Sequence, residues 1–290
     1  MLLLQLLING VQVGALYALI AVGFSLIFGS TRIFHFAHGS TFTIAAYAFY
    51  YVLSVAQMHW LLAVLAATAA AVLFGLALNR FVYVPIQKHE GSFFTVFVAS
   101  FGVGIIVQNL CGILFGRSFV SVNTTLSRSM EVIPGLFVSP LSGIAIVIAL
   151  LFFFGLQTFL MRTHTGMALR ALSENPELVR AYGMSPRRLS NTVFALGSLL
   201  VVPAALLSAA SSGLNPAIGH HVMLISLAAT IVGGVGSLRG AAVAGLVLGL
   251  AENLALLYFE PQWSEAITFI VLFLFILFRP SGLFGRATAH

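Results

Sequence analysis

Few side chains in this sequence can do chemistry, and most of them lie within apolar runs. His35 and His38 stand i, i+3 in Phe34-His35-Phe36-Ala37-His38-Gly39-Ser40, a spacing that puts two imidazoles on one face of a helix. Two imidazoles could begin a metal site, but zinc takes three or four protein ligands and no third is nearby, so no metal is expected. Gly39-Ser40 ahead of Thr41 reads instead as a break, with a shorter helix starting near Thr41. Irregular backbone at membrane depth is tolerated only where protein or a water-filled cavity surrounds it. His35, Phe36, Ala37, His38 and Gly39 are therefore candidates for a translocation pathway, with a plain interfacial turn as the other reading. Glu252 and Asn253 fall inside an apolar run, away from both of its ends. A carboxylate there costs about 2.5–3.5 kcal/mol, so it is expected to be paired, neutral or facing a cavity. Gln108 and Asn109 pose the same question more mildly, as pathway groups or as interhelical hydrogen bonds worth about 0.6 kcal/mol.

The glycines divide into two sets. Gly10 with Gly14, and Gly245 with Gly249, form Gly-x-x-x-Gly pairs that let helix backbones approach closely, either as static packing or as a moving seam. The run Gly233-Gly234-Val235-Gly236-Ser237-Leu238-Arg239-Gly240 lacks the Lys and the preceding strand of a phosphate loop. It reads as a tight turn between closely packed helices. No Gly-x-Ser-x-Gly elbow, His-Glu-x-x-His or paired-carboxylate arrangement occurs. The sequence therefore predicts no catalytic residue, no cofactor on this chain and no enzyme.

The elements that must position these residues follow from composition. Of 290 residues, 60% are hydrophobic and 7% charged, with no Asp, and the mean hydropathy is +1.08. A soluble domain carries roughly 25% charged residues, so a water-soluble enzyme, a nucleic-acid-binding module and a disordered chain are excluded. The sole cysteine, Cys111, lies in an apolar run, so no intrachain disulfide forms. Apolar runs that suit helices across a core about 30 Å thick lie at 5–29, 34–55, 60–79, 93–115, 137–161, 191–211, 222–238, 240–258 and 264–279. The expectation is an all-α polytopic membrane protein, a single domain over 1–290 with 8–9 transmembrane helices and a broken or re-entrant segment. The N-terminus, without a basic leader or a clear cleavage motif, reads as a retained first span.

Charge sets the orientation. The loop 162–190 carries Arg162, Arg170, Arg180, Arg187 and Arg188, which the positive-inside rule places in the cytoplasm. Counting from it puts Arg32, Arg80, Lys88, Arg239, Arg279, Arg286 and the C-terminus inside as well. Only Arg117 and Arg128 then face outward. Within this loop Asn175 can cap a helix, Pro176 suits its first position and Glu177 suits its dipole. Gly183 can end it, giving a helix over Pro176–Tyr182 with Leu178, Ala181 and Tyr182 on a small apolar face. A short capped helix between two spans suits docking to a cytoplasmic partner.

At this loop the chain resembles a known family. Thr165-Gly166-Met167-Ala168-Leu169-Arg170-Ala171, Asn175-Pro176-Glu177 and Tyr182-Gly183-Met184 look like the cytoplasmic coupling segment of LivH-type permeases, membrane subunits of branched-chain amino acid ABC importers. Leu16-Tyr17-Ala18-Leu19-Ile20-Ala21, Phe36-Ala37-His38-Gly39, Gly233-Gly234-Val235-Gly236-Ser237, Gly249-Leu250-Ala251-Glu252 and Arg279-Pro280-Ser281-Gly282-Leu283-Phe284-Gly285 match in the same order. His35 stands where the family usually has Asn, and Arg239 where it usually has Pro. The resemblance implies the ABC-importer permease fold in a bacterial inner membrane, with Thr165, Gly166, Arg170, Asn175, Pro176, Glu177, Leu178, Arg180, Ala181, Tyr182 and Gly183 contacting the ATPase. It further implies two ATPase subunits holding ATP and Mg, a second homologous permease and a periplasmic or extracellular solute-binding protein. Branched-chain amino acids are the expected cargo, with related amino acids, amides or urea as variants. The rivals are an ion-coupled secondary transporter using Glu252 as proton carrier and a membrane enzyme using His35 and His38.

Overall fold

Apolar length dictates the elements. The computed structural model describes residues 1–89, 91–122, 124–279 and 281–285; Arg286 and Pro280 lie outside them. In chain order the helices are α1 (Leu2–Thr31), α2 (His38–Tyr50), α3 (Trp60–Leu78), α4 (Val84–Lys88), α5 (Phe93–Phe115), α6 (Pro140–Arg162), α7 (His164–Glu174), α8 (Pro176–Ala181), α9 (Pro186–Ser211), α10 (Ile218–Gly233), α11 (Leu238–Ala255) and α12 (Ser264–Phe278). Every apolar run becomes a helix. Among the described residues seven helices are long and apolar enough to cross a membrane; α10 is apolar but shorter, and α2 has 13 residues. The expected 8–9 spans fit this roughly. Two π-helical turns interrupt the ladder: Tyr51–Val55 extends α2, and Asn79–Tyr83 joins α3 to α4.

Glycine decides which helices meet. α1 and α9 are the most buried spans, and they cross where a Cβ on Gly23 would stand 2.8 Å from the Gly197 carbonyl oxygen. Along α1 and α11 the two Gly-x-x-x-Gly pairs interdigitate. A Cβ on Gly14 would lie 2.9 Å from Leu246 Cα, one on Gly245 2.5 Å from the Ala18 nitrogen, and one on Gly249 would overlap the Gly14 backbone. In lipid, where apolar burial drives little association, backbone contact of this kind supplies the dispersion energy. The run 233–240 is the tight turn expected: Gly234 and Gly236 have φ of 99° and 83°, and the Ser237 hydroxyl accepts the Gly240 N–H to start α11.

Two sets of helices pack around the α1–α9 crossing. α1 packs on α9, α10 and α11, while α9 packs on α1, α2 and α3; the α2–α3 pair is matched by α10–α11. Gln5 near the start of α1 bonds Phe137, and Ala209 near the end of α9 bonds Val122, so the two helices run in opposite directions.

Four features depart from the sequence reading. α2 starts at His38, ahead of Thr41, because the break lies earlier, at residues 32–37. α7 fills most of the loop that precedes α8, and α8 stops at Ala181, one residue before Tyr182. α11 ends at Ala255, so Glu252 sits in its last turn and not in mid-span. A small antiparallel hairpin, β1 (Met130–Ile133) and β2 (Leu136–Val138), adds to the all-α bundle. Its turn is Pro134-Gly135, with Gly135 at φ 80°, a pairing that favours tight turns. The Gln5 side chain closes α1 onto it, donating to Phe137 O (2.8 Å) and accepting from Phe137 N (2.9 Å).

Candidate translocation and coupling sites

The first site is built by two helices that begin inside the bundle. After Thr31 the chain turns back at Arg32, which takes a left-handed φ of 57° and donates its N–H to Phe28 O. By His38 it has climbed far enough for Nε2 to donate to Ile20 O at 3.1 Å. Ile20 lies about 16 Å along α1 from Thr31, at about 1.5 Å per residue. α2 therefore starts at depth, the re-entrant feature expected of this segment. α10 starts at the same level, since a Cβ on Gly39 would overlap the Gly219 carbonyl oxygen. Gly39 is thus a contact point inside α2, not the break itself.

Where the two N-termini meet, Phe36, Ser40, Thr43, Gln108, Gly219 and His220 line a recess of about 10 Å³, room for about one water. The rings of Phe36 and Phe101 flank His220 at 6.2 and 6.1 Å. Ser40, Thr43 and His220 carry no motif of their own in the sequence; only the crossing of α2 and α10 gathers them. Helix N-termini carry partial positive charge and unpaired N–H groups, the usual seat of an anionic ligand group between broken membrane helices.

The other pathway candidates separate from this recess. His35 and His38 are fully buried behind it, with ring centroids 5.6 Å apart. His35 Nδ1 pairs with Tyr83 OH at 2.7 Å, a residue delivered by the π-turn after α3. His35 Nε2 and His38 Nδ1 have no partner, and no group of three or more His, Cys, Asp or Glu that could hold a metal occurs among the described residues. Ala37 is fully buried. Asn109 is exposed on the outer face of α5 and turns back to Ile105 O at 2.8 Å. Asn253 likewise bonds Gly249 O at 2.9 Å. Glu252 is buried in a separate cluster: Tyr17 OH donates to Oε2 at 2.9 Å and Thr268 donates to Oε1. Glu265, in the first turn of α12, pairs at 3.9 Å with His221.

The second site is the loop over 162–190. Thr163 caps α7, accepting the Gly166 N–H at 3.0 Å, and Leu169 and Leu172 bury one side of that helix. Gly166 is obligatory there, because a Cβ would strike the Leu160 backbone. Asn175 Oδ1 accepts both the Glu177 and Leu178 N–H at 3.0 Å, and Pro176 occupies the first turn, as expected. Gly183 takes φ 75° and ends the turn. Val179, overlooked in the sequence, anchors α8 at 1% exposure, while Leu178 and Tyr182 stand 50% and 75% exposed. Thr165, Arg170, Glu177, Arg180 and Ala181 are exposed on the same segment.

Among the described residues, seven helices long and apolar enough to cross a membrane, with the shorter α2 and α10 between them, define a multi-pass membrane protein. Comparison with known proteins gives the family. The family model for the branched-chain amino acid transport system permease component matches residues 6–276, and the chain belongs to that family. It is 31% identical over 303 residues to the high-affinity branched-chain amino acid transport system permease protein BraD of Pseudomonas aeruginosa, covering 98% of this chain and 96% of that protein. It is 26% identical to LivH of Escherichia coli K12, with the same coverage. Among solved structures, PsaBC from Streptococcus pneumoniae in complex with a Fab shares the fold, with a TM-score of 0.56 at 14% identity over 98% of this chain and 94% of that one. The chain is a LivH-type permease component of a transport system. An ion-coupled carrier is not favoured.

Proposed function

We infer that this chain is the membrane-spanning half of an ABC importer for branched-chain amino acids, driven by two separate ATPase subunits that hold ATP and Mg. The substrate class rests on the names of relatives 26–31% identical over nearly the whole chain. A second, homologous permease and a solute-binding protein on the far side complete the assembly, and this chain makes and breaks no covalent bond. The recess between α2 and α10 is too small for an amino acid. It fits a route closed in this state, in which parting the two N-termini exposes N–H groups to the substrate carboxylate. Phe36, Gly39 and Gln108 border that route, and His35 and His38 brace it from behind.

The carrying observation is the α8 surface. Val179 and the Asn175 cap fix a helix of six residues, too short to persist unaided, while Leu178, Ala181 and Tyr182 offer an apolar face that nothing among the described residues covers. An ATPase groove fits that face, with Glu177 and Arg180 making polar contacts beside it. Ala181→Glu tests this, because it keeps helix propensity and adds a charge where docking is expected. An unpaired buried charge costs several kcal/mol. The variant is expected to insert normally, lose ATP-driven uptake and recover less ATPase in pull-down. Wild-type uptake with unchanged ATPase recovery overturns the assignment.

A further inference from the structure

A different surface of the bundle carries a second site. At the end of the bundle bearing the α6–α7 junction and the α10–α11 turn, a cavity of about 410 Å³ is lined by Ser25, Ser30, Gln157, Arg170, Ser173 and Arg239. Neither arginine has a carboxylate within 4.0 Å among the described residues; Arg170 reaches only Met161 Sδ, at 3.4 Å. Ser25 is 1% exposed, and its hydroxyl has no hydrogen-bond partner. Arg170 and Arg239 are exposed at the cavity mouth, and two such cations above an orphaned buried hydroxyl suit an anion with oxygen acceptors. Beside it, sharing Phe153, Gln157 and Arg239 with its lining, runs an apolar groove of about 570 Å³ between α1, α6 and α11, lined by Val11, Ala15, Leu150, Phe154 and Val243. This groove lies along the membrane-spanning lengths of its helices.

We propose that a single anionic glycerophospholipid occupies both, its phosphate between Arg170 and Arg239 and an acyl chain in the groove beneath. A soluble anion fits the head cavity and leaves the groove empty; a neutral lipid fits the groove and leaves the arginines unpaired. Only the combination satisfies both halves. The lipid joins α7, which opens the coupling loop, to α1 and α11, and so ties that loop to the membrane.

The full chain, purified in detergent and stripped of copurifying lipid, is titrated with phosphatidylglycerol, phosphatidylcholine or inorganic phosphate while its thermal unfolding is followed. Phosphatidylglycerol is expected to raise the midpoint at concentrations where the other two do nothing. Arg239→Gln and Arg170→Gln each weaken the apparent affinity about fivefold, from the ~1 kcal/mol that a basic side chain gains at an anionic bilayer surface. Val243→Trp, at a partly exposed groove position, weakens it while leaving the arginines in place. Equal responses to phosphatidylcholine, the same shift from inorganic phosphate alone, or wild-type affinity in the double arginine variant overturns the proposal. So does cross-linking of a cysteine at Val243 to a second permease chain in place of protection by added lipid.

Discussion

Glu252 is where residue-level chemistry discriminates between mechanisms. A carboxylate carrying protons across a membrane needs a partner to pass them to, and it must alternate between solvents. Here both oxygens accept hydroxyl hydrogen bonds, from Tyr17 on α1 and Thr268 on α12, so the side chain joins three helices. Glu252→Gln keeps the shape and one acceptor, and is expected to lower stability by about 1 kcal/mol. Glu252→Leu leaves both hydroxyls unpaired and should cost more, about 1–3 kcal/mol per orphaned group. Thermal unfolding in detergent orders the two. Uptake measured against pH in Glu252→Gln should follow the wild-type profile; a proton-driven component abolished by Gln would restore the ion-coupled reading. Sequence alone could flag Glu252 as costly, because one carboxylate stands out in apolar sequence. It could not supply Tyr17, 235 positions away.

Elements were legible to the degree that their signals are local. Nine apolar runs became nine helices because span length is written directly into the chain, and the Asn175-Pro176 start was legible because a cap acts within three residues. α7 escaped notice because its apolar side is only Ala168, Leu169 and Leu172, and the π-turns because no residue pattern marks them. The re-entrant start of α2 was visible, but its contact with α10 was not, since Gly39 and Gly219 are ordinary helical glycines until they meet. That contact yields a paired prediction. Gly39→Ala puts a Cβ into the Gly219 carbonyl, and separating the half-helices should cost about 1–3 kcal/mol. Gly143→Ala, where a Cβ would meet nothing within 4 Å, should be neutral or stabilising by up to about 1 kcal/mol. Similar losses in both variants would show that helix propensity, not backbone contact, governs these positions.

For the molecule as a whole, the two ends of the bundle differ in charge. The Gly29–Gly236 contact and the hydrogen bond from Leu283 N to Val232 O bring the ends of α1, α10 and α12 together with the start of α11. Arg32, Arg239 and Arg279 therefore share one end with Arg162, Arg170, Arg180, Arg187 and Arg188 of the 162–190 loop, as the cavity lined by Ser30, Arg170 and Arg239 shows, and helix direction adds Arg80 and Lys88. Arg117 and Arg128 lie at the opposite end, beside the hairpin and the Val120–Leu214 bridge. By the positive-inside bias we propose that the arginine-rich end, with α7 and α8, faces the cytoplasm, where ATPases and ATP are found. In a background with Cys111 replaced by Ala, a cysteine at Gln57 should react with a membrane-impermeant maleimide on intact spheroplasts. A cysteine at Arg180 should react only after permeabilisation. The reverse pattern would turn the bundle over, place α8 away from any ATPase and remove the coupling role assigned to it.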